Sequence, residues 1–127
     1  MIRSSFLLSL VICFFFFSLK GQECGYIYVT SSGTSSSLAG TRSNPASLQY
    51  ALSIVSSTDS IIKIAEGTYW LDSSLNMVSN ISIEGGFDSV SWIKSNTTPS
   101  ILYRKNTNIS LSPDRLIAVN AVGKTNF

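Results

Sequence analysis

Histidine is absent from this 127-residue chain, and charged side chains of every kind are scarce. The lack of histidine excludes Ser–His–Asp triads, paired-histidine zinc sites and any imidazole general base within these residues. Lysine, arginine, aspartate and glutamate together make up 13% of the chain, which is about half their share in an ordinary globular protein. Serine takes their place with 25 residues, so the sequence predicts a surface rich in hydroxyl groups.

An excess of positive charge is also missing from the part of the chain that would fold. Two of the nine basic residues, Arg3 and Lys20, flank an N-terminal apolar run, which leaves seven basic against seven acidic side chains. Nucleic-acid binding depends on clustered lysine and arginine at phosphates, so we predict no nucleic-acid partner. No glycine-rich phosphate loop and no Cys-x-x-Cys motif occurs, and no cofactor is predicted.

The N-terminal apolar run predicts an export signal over residues 1–21. It spans fourteen residues, 6–19, whereas a helix that crosses a bilayer needs about 20. The small residues Ser18 and Gly21 offer cleavage sites. Cleavage after Gly21 is preferred, so the mature chain would start at Gln22 and be secreted or displayed on the cell surface. The alternative is an uncleaved anchor, in which case the chain would contact a membrane only through this segment.

Only two cysteines occur, and the export signal would remove Cys13. Cys24 would then stand alone, which excludes a disulfide within the mature chain. It is either a thiol close to solvent beside the cleavage site or the partner of a cysteine beyond residue 127.

Local patterns predict a strand, a loop and one helix in the first third of the mature chain. Aromatic and β-branched residues alternate over 25–30, and a Gly/Ser/Thr-rich loop follows over 31–42. We predict a helix over 45–55, with Asn44 as its N-cap and Pro45 in the first turn. Its apolar stripe is formed by Leu48, Ala51, Leu52 and Val55.

Short apolar segments then recur at nearly regular intervals. Their centres near residues 62, 82, 102 and 118 give steps of 20, 20 and 16, with a further apolar segment over 108–111. Such spacing is typical of a solenoid, in which stacked coils share one core. The amphipathic helix would cover the end of its first coil, formed by residues 61–65.

The order of these motifs resembles the N-terminal region of right-handed parallel β-helix proteins of the pectin-lyase-like and polymorphic-membrane-protein-like classes. The resemblance rests on GTRSNP (40–45), the helix, IIKIAEGTY (61–69) and ISIEGGFD (81–88). It implies a mostly β fold in which residues 22–127 form the N-terminal cap and first coils of a β-helix. The chain ends without a closing cap, which indicates the front of a longer protein.

Glycines and aromatic residues at the ends of the predicted strands have two readings. Gly67 and the pair 85–86 would turn corners that need positive φ, and Phe87 and Trp92 would pack over the neighbouring apolar edge. The functional alternative is a sugar-stacking platform formed by Tyr69, Trp70 and Trp92.

No acidic pair indicates catalysis. The resemblance implies either calcium-binding acids with an arginine or lysine base, as in pectate lyases, or clustered aspartates, as in polygalacturonases. The acids here are scattered, with no two adjacent or at i, i+2, and they are better explained as turn caps and solvated corners. They are Glu23, Asp59, Glu66, Asp72, Glu84, Asp88 and Asp114.

The sequence therefore favours a non-catalytic, secreted or cell-surface module for adhesion or structure that binds glycans or surface proteins. One alternative is the N-terminal part of a carbohydrate-active enzyme, either a polysaccharide lyase or a glycoside hydrolase. The other is a stand-alone small binding domain. Three sequons, at Asn80, Asn96 and Asn108, are candidate N-glycosylation sites in a host that uses them.

Overall fold

The computed structural model describes residues 25–56, 61–105 and 118–125. Within these ranges the chain forms seven strands and one short helix. In chain order they are β1 (Tyr26–Thr34), α1 (Leu48–Ile54), β2 (Ile61–Ala65), β3 (Gly67–Leu71), β4 (Leu75–Asn76), β5 (Ser82–Phe87), β6 (Ser100–Arg104) and β7 (Val119–Asn120). The predicted export signal, Cys24 and the predicted strand over 108–111 lie outside the described residues.

All strand pairs are parallel, and they fall into three small sheets. The first sheet has the order β1-β2-β5, with Ile62 of β2 opposite both Ile27 and Ile83. The second consists of β3 and β6, and the third of β4 and β7. Mostly β structure with one helix agrees with the sequence prediction, but the arrangement of the strands does not.

The predicted right-handed parallel β-helix is wrong, because the evenly spaced segments do not stack in one ladder. The segments centred at 62 and 82 do pair, but Leu102 lies opposite Tyr69 in the second sheet and Val119 opposite Leu75 in the third. Over the described ranges the result is three small parallel sheets of three, two and two strands. Spacing along the chain does not select the partner of a parallel strand, and the sequence pattern predicts no strand over residues 67–71, which form β3.

The first strand is longer than predicted, and the helix starts later. β1 runs to Thr34, into the predicted loop, because Ala46 forms parallel bridges to Val29 and Thr34. Pro45 therefore lies outside the helix, which starts at Leu48. Ser47 rather than Asn44 is the N-cap, and its side chain accepts a hydrogen bond from the Tyr50 N–H at 3.4 Å.

The main core joins the helix to the inward side of the first sheet. The predicted stripe is confirmed at Leu48, Ala51 and Leu52, which are buried. A seven-residue helix is too short to be stable alone, so this packing holds it in place. The backbone of the helix lies closest to β1 and β4. Its buried side chains share one core cluster with Ile62 and Ile64 of β2, against which the sequence predicted that the stripe would pack.

A second, aromatic cluster lies on the opposite face of the first sheet. Tyr28 points away from Ile27 and Val29, as strand alternation requires, and packs with Ala65, Phe87 and Trp92. Burial of both Phe87 and Trp92 confirms their predicted packing role.

Positive φ is also confirmed at two of the predicted glycines. Gly67 has φ 124° and Gly86 has φ 83°. β5, however, continues through residues 85–86 instead of ending before them. No helix in the part of the chain that the structure describes has the length and apolar character to cross a bilayer.

Candidate functional site

Two aromatic side chains, Trp70 and Tyr103, lie exposed and in contact on the outer face of the second sheet. Tyr69 and Leu71 point inward and are buried, so alternation along β3 turns Trp70 outward. Trp70 and Tyr103 are register partners in β3 and β6. Their ring centroids are 4.5 Å apart and their planes are inclined by 60°, while the residues remain 58% and 53% exposed.

The same outward face continues one pleat earlier along both strands. Thr68 lies opposite Ile101 in the register, and Ile101 is 49% exposed. We call the four side chains Thr68, Trp70, Ile101 and Tyr103 the aromatic face. It combines two rings and one aliphatic side chain with a hydroxyl group. Exposed apolar side chains that are contiguous in this way often mark a binding surface.

Polar contacts fasten the two strands together just beyond this face. Lys105 donates its backbone N–H to the Leu71 carbonyl at 3.0 Å, and its ammonium group forms a 2.9 Å ion pair with Asp72. The Arg104 guanidinium donates to the main-chain carbonyls of Leu71 and Asp72 at 3.1 and 2.5 Å. The ion pair is exposed and adds little stability, but the charges of Asp72 and Lys105 compensate each other.

The sugar platform predicted from Tyr69, Trp70 and Trp92 is not formed, because only Trp70 is exposed. Tyr69 is 5% exposed, and its hydroxyl donates to the Ala65 carbonyl at 2.8 Å and the Val29 carbonyl at 3.3 Å. Burial raises the pKa of the Tyr69 phenol from 10.0 to about 12. Tyr69 is therefore a core residue.

Trp92 is also removed from the surface, on the far side of the first sheet. It is 5% exposed and meets Tyr28 edge-on, with centroids 4.6 Å apart. Its φ of 56° is unusual for a bulky residue. The predicted platform did not include Tyr103. The even spacing of the segments predicted that the strand of Tyr103 would pair with the segment near residue 82, whereas it pairs with β3.

Asp88 caps the loop that carries Trp92. One carboxylate oxygen accepts the Ser91 N–H at 2.6 Å, the Ser91 hydroxyl at 2.7 Å and the Val90 N–H at 3.1 Å. The bonds from Ser91, together with that from Val90, lower the pKa of Asp88. The predicted turn-capping role of Asp88 is confirmed.

The other described acids are dispersed over the surface. Glu84 lies 3.8 Å from the Lys94 ammonium, Asp72 pairs with Lys105, and Glu66 is half-buried after β2. Within residues 25–56, 61–105 and 118–125, no three metal-ligating His, Cys, Asp or Glu side chains lie together. Glu23, Asp59 and Asp114 lie outside the described residues.

Two of the three sequons fall on exposed described residues. Asn80 is in a turn with φ 63°, and Asn96 is in the loop between β5 and β6. Asn108 lies outside the described residues.

A shallow polar groove lies beside α1, with a volume of about 320 Å³. Gln49 donates to the Ser73 hydroxyl at 3.1 Å, which joins the helix to the turn before β4. The groove is lined by Gln49, Leu52, Ser53, Ser73, Ser74, Leu75 and Asn76. It offers hydroxyl and amide groups over two apolar side chains but presents no ring on which a ligand could stack.

Comparison with known proteins finds no match among family models, curated proteins or solved structures. The case for a function therefore depends on the geometry of the aromatic face and on the sequence.

Proposed function

We propose that this chain is an exported, non-catalytic glycan-binding module and that its ligand stacks on the aromatic face. The observation that carries the proposal is the exposed contact pair of Trp70 and Tyr103. Tryptophan is highly buried on average in folded proteins, and a contacting aromatic pair left exposed on a sheet surface retains apolar area that a ligand can cover.

The chemistry of the face suits a sugar. The face of an aromatic ring is apolar and carries partial negative charge, so it matches the weakly positive C–H groups on one side of a pyranose. Thr68 adds a hydroxyl that can donate and accept hydrogen bonds. Binding sites for small ligands typically combine apolar walls with a few polar groups in this way.

The balance of charge and the predicted export signal support the same proposal. Asp72 and Lys105, the charged residues next to the face that form an ion pair, satisfy each other. The chain outside its N-terminal run has equal numbers of basic and acidic side chains. The signal predicted over residues 1–21 would deliver the module to the cell exterior, where polysaccharides and glycoproteins are abundant.

The proposal is tested by measuring binding of the exported chain to an immobilised panel of neutral and acidic polysaccharides. Loss of a stacking ring costs about 1–3 kcal/mol for nucleobases, and a comparable loss here would weaken the Kd roughly tenfold to a hundredfold. We expect this loss for both Trp70→Ala and Tyr103→Ala. Val90→Ala is the control, since Val90 is an apolar side chain that is 88% exposed in the turn after β5 and does not belong to the aromatic face.

Three results would contradict the proposal. Equal binding by all variants would place the ligand elsewhere. Binding to a deglycosylated protein but to no glycan would mean that the partner is a protein. New reducing ends or unsaturated products from polygalacturonate in the presence of calcium would show that the module is catalytic.

A further inference from the structure

We infer that the aromatic face accepts a soluble glycan chain one sugar at a time and rejects the flat surface of a crystalline polysaccharide. This inference rests on the proposed function and specifies the physical form of its ligand. It is drawn from the mutual angle and spacing of the two rings.

The ring planes of Trp70 and Tyr103 form a corner rather than a platform, because they are inclined by 60°. A flat polysaccharide surface that lies on the face of one ring meets the other ring at a steep angle. The edge of an aromatic ring carries partial positive charge, so it repels the C–H groups that a ring face attracts. A single sugar can lie with one side against an exposed ring face and turn a hydroxyl oxygen towards the edge of the other ring.

The spacing of the rings also limits the site to one sugar. Their centroids are 4.5 Å apart, close to the separation of neighbouring strands, which is about 4.8 Å. Because this distance is no larger than the width of a pyranose ring, two successive sugars cannot each occupy one of these rings. The aromatic face therefore provides one stacking position.

Contacts on both strands fix the backbone that carries the two rings. Trp70 lies between Tyr69 and Leu71, which are buried and fix the backbone of β3. Tyr103 is followed by Arg104, whose guanidinium is bonded to the carbonyl of Leu71 across the sheet. The two rings are held in strands with a continuous five-residue register, so rotation of one ring would have to occur at its side chain alone.

The charges beside the corner favour a neutral sugar. The Lys105 ammonium pairs with Asp72 at 2.9 Å. The Arg104 guanidinium donates to main-chain carbonyls. Charges that are engaged in this way are not directed at a ligand, and recognition of an acidic sugar would require one of these contacts to break.

The test compares soluble and crystalline forms of the same neutral polymer with the exported full chain. Calorimetry with β-1,4-linked glucose oligomers of two and six units measures soluble binding, and depletion by crystalline cellulose measures surface binding. The same pair of assays is run with chitin oligomers and crystalline chitin, and with xylan oligomers in solution. We expect binding in solution and no depletion by either crystalline solid.

A single stacking position further predicts that the disaccharide and the hexasaccharide bind with equal affinity once the number of positions at which each oligomer can bind is taken into account. We call this quantity the affinity per register. Trp70→Ala and Tyr103→Ala should each weaken soluble binding at least roughly tenfold, which corresponds to 1.4 kcal/mol, while Val90→Ala should leave it unchanged. Loss of binding in both ring variants is required, because a corner needs both of its sides.

Each contrary outcome has a distinct meaning. Depletion by a crystalline solid that both ring variants abolish would overturn the corner but leave glycan binding in place. An affinity per register that rises from disaccharide to hexasaccharide would overturn the single stacking position. Binding to no glycan, soluble or crystalline, would overturn the proposed function together with this inference.

Discussion

Replacing Gly33 with alanine should strongly destabilise the fold, because the space for a methyl group is already filled by backbone. An ideal Cβ at Gly33 lies 1.9 Å from the Ala46 carbonyl oxygen, 2.2 Å from its carbonyl carbon and 2.7 Å from the Ser47 nitrogen. Real Cβ atoms essentially never approach other atoms closer than 3.0 Å. The segment before α1 must therefore move away from β1.

The cost can be worked out from what that movement breaks. Thr34 donates to the Pro45 carbonyl at 3.0 Å, and Ser47 donates to the Thr34 carbonyl at 2.8 Å. Each bond contributes about 0.5–1.5 kcal/mol, and overpacking adds about 1–3 kcal/mol. Reduced freedom of the unfolded chain offsets about 0.4–1 kcal/mol. The expected net loss is about 1–6 kcal/mol in the free energy of unfolding.

The assay is urea denaturation followed by far-ultraviolet circular dichroism. Gly33→Ala should lower the midpoint strongly with an unchanged m-value. Ser32→Ala is the control, since Ser32 is exposed in the same strand and such substitutions normally stay within about 0.5 kcal/mol. If the two variants unfolded at the same urea concentration, the close approach of β1 to the segment before α1 would be refuted.

Four further predictions concern the core, the loop, the buried phenol and export. Leu52→Asp should cost several kcal/mol, because it buries an unpaired carboxylate, while Gln49→Asp on the exposed side of α1 should cost little. Equal thermal stability of the two variants would mean that the helix does not pack as described. The folded pKa of Asp88 lies below the unfolded value of about 3.9, so its stabilising contribution is present above that pH and is lost as pH falls through the folded pKa. Asp88→Asn should remove this part of the acid dependence of the near-ultraviolet circular dichroism. Identical acid profiles of the two proteins would contradict the capping role. Tyr69→Phe should cost about 0.5–1.5 kcal/mol, because it removes the hydrogen bond from the Tyr69 hydroxyl while the Ala65 carbonyl still accepts from the Ser100 hydroxyl at 2.7 Å. Since the folded pKa of Tyr69 is about 12 and exceeds the unfolded value of 10.0, the stability from this group is complete below pH 10 and is lost as pH rises towards 12. An absorbance titration at alkaline pH, with the variant as blank, would detect this shift. N-terminal sequencing of the exported protein should begin near Gln22, and a product that still begins with Met1 would contradict cleavage.

The sequence alone determined the local elements with reasonable accuracy. Alternating apolar residues predicted strands at 61–65 and 101–103, and the stripe from Leu48 to Leu52 predicted the buried side of the helix. Asp88 was predicted as a turn cap from its position after a glycine pair and was confirmed. These features depend on side-chain periodicity and short-range hydrogen bonds, which are visible within a few residues of sequence.

Only the tertiary structure decided which strands pair and where the helix begins. Even spacing predicted one ladder, but β3 pairs with β6. Because Ala46 forms bridges to β1, α1 begins only at Leu48. Parallel pairing joins residues that are distant along the chain, so local patterns contain no information about the choice of partner. The contact of Trp70 with Tyr103 is a consequence of that choice: both rings are visible in the sequence, but the register of β3 and β6 alone places them side by side.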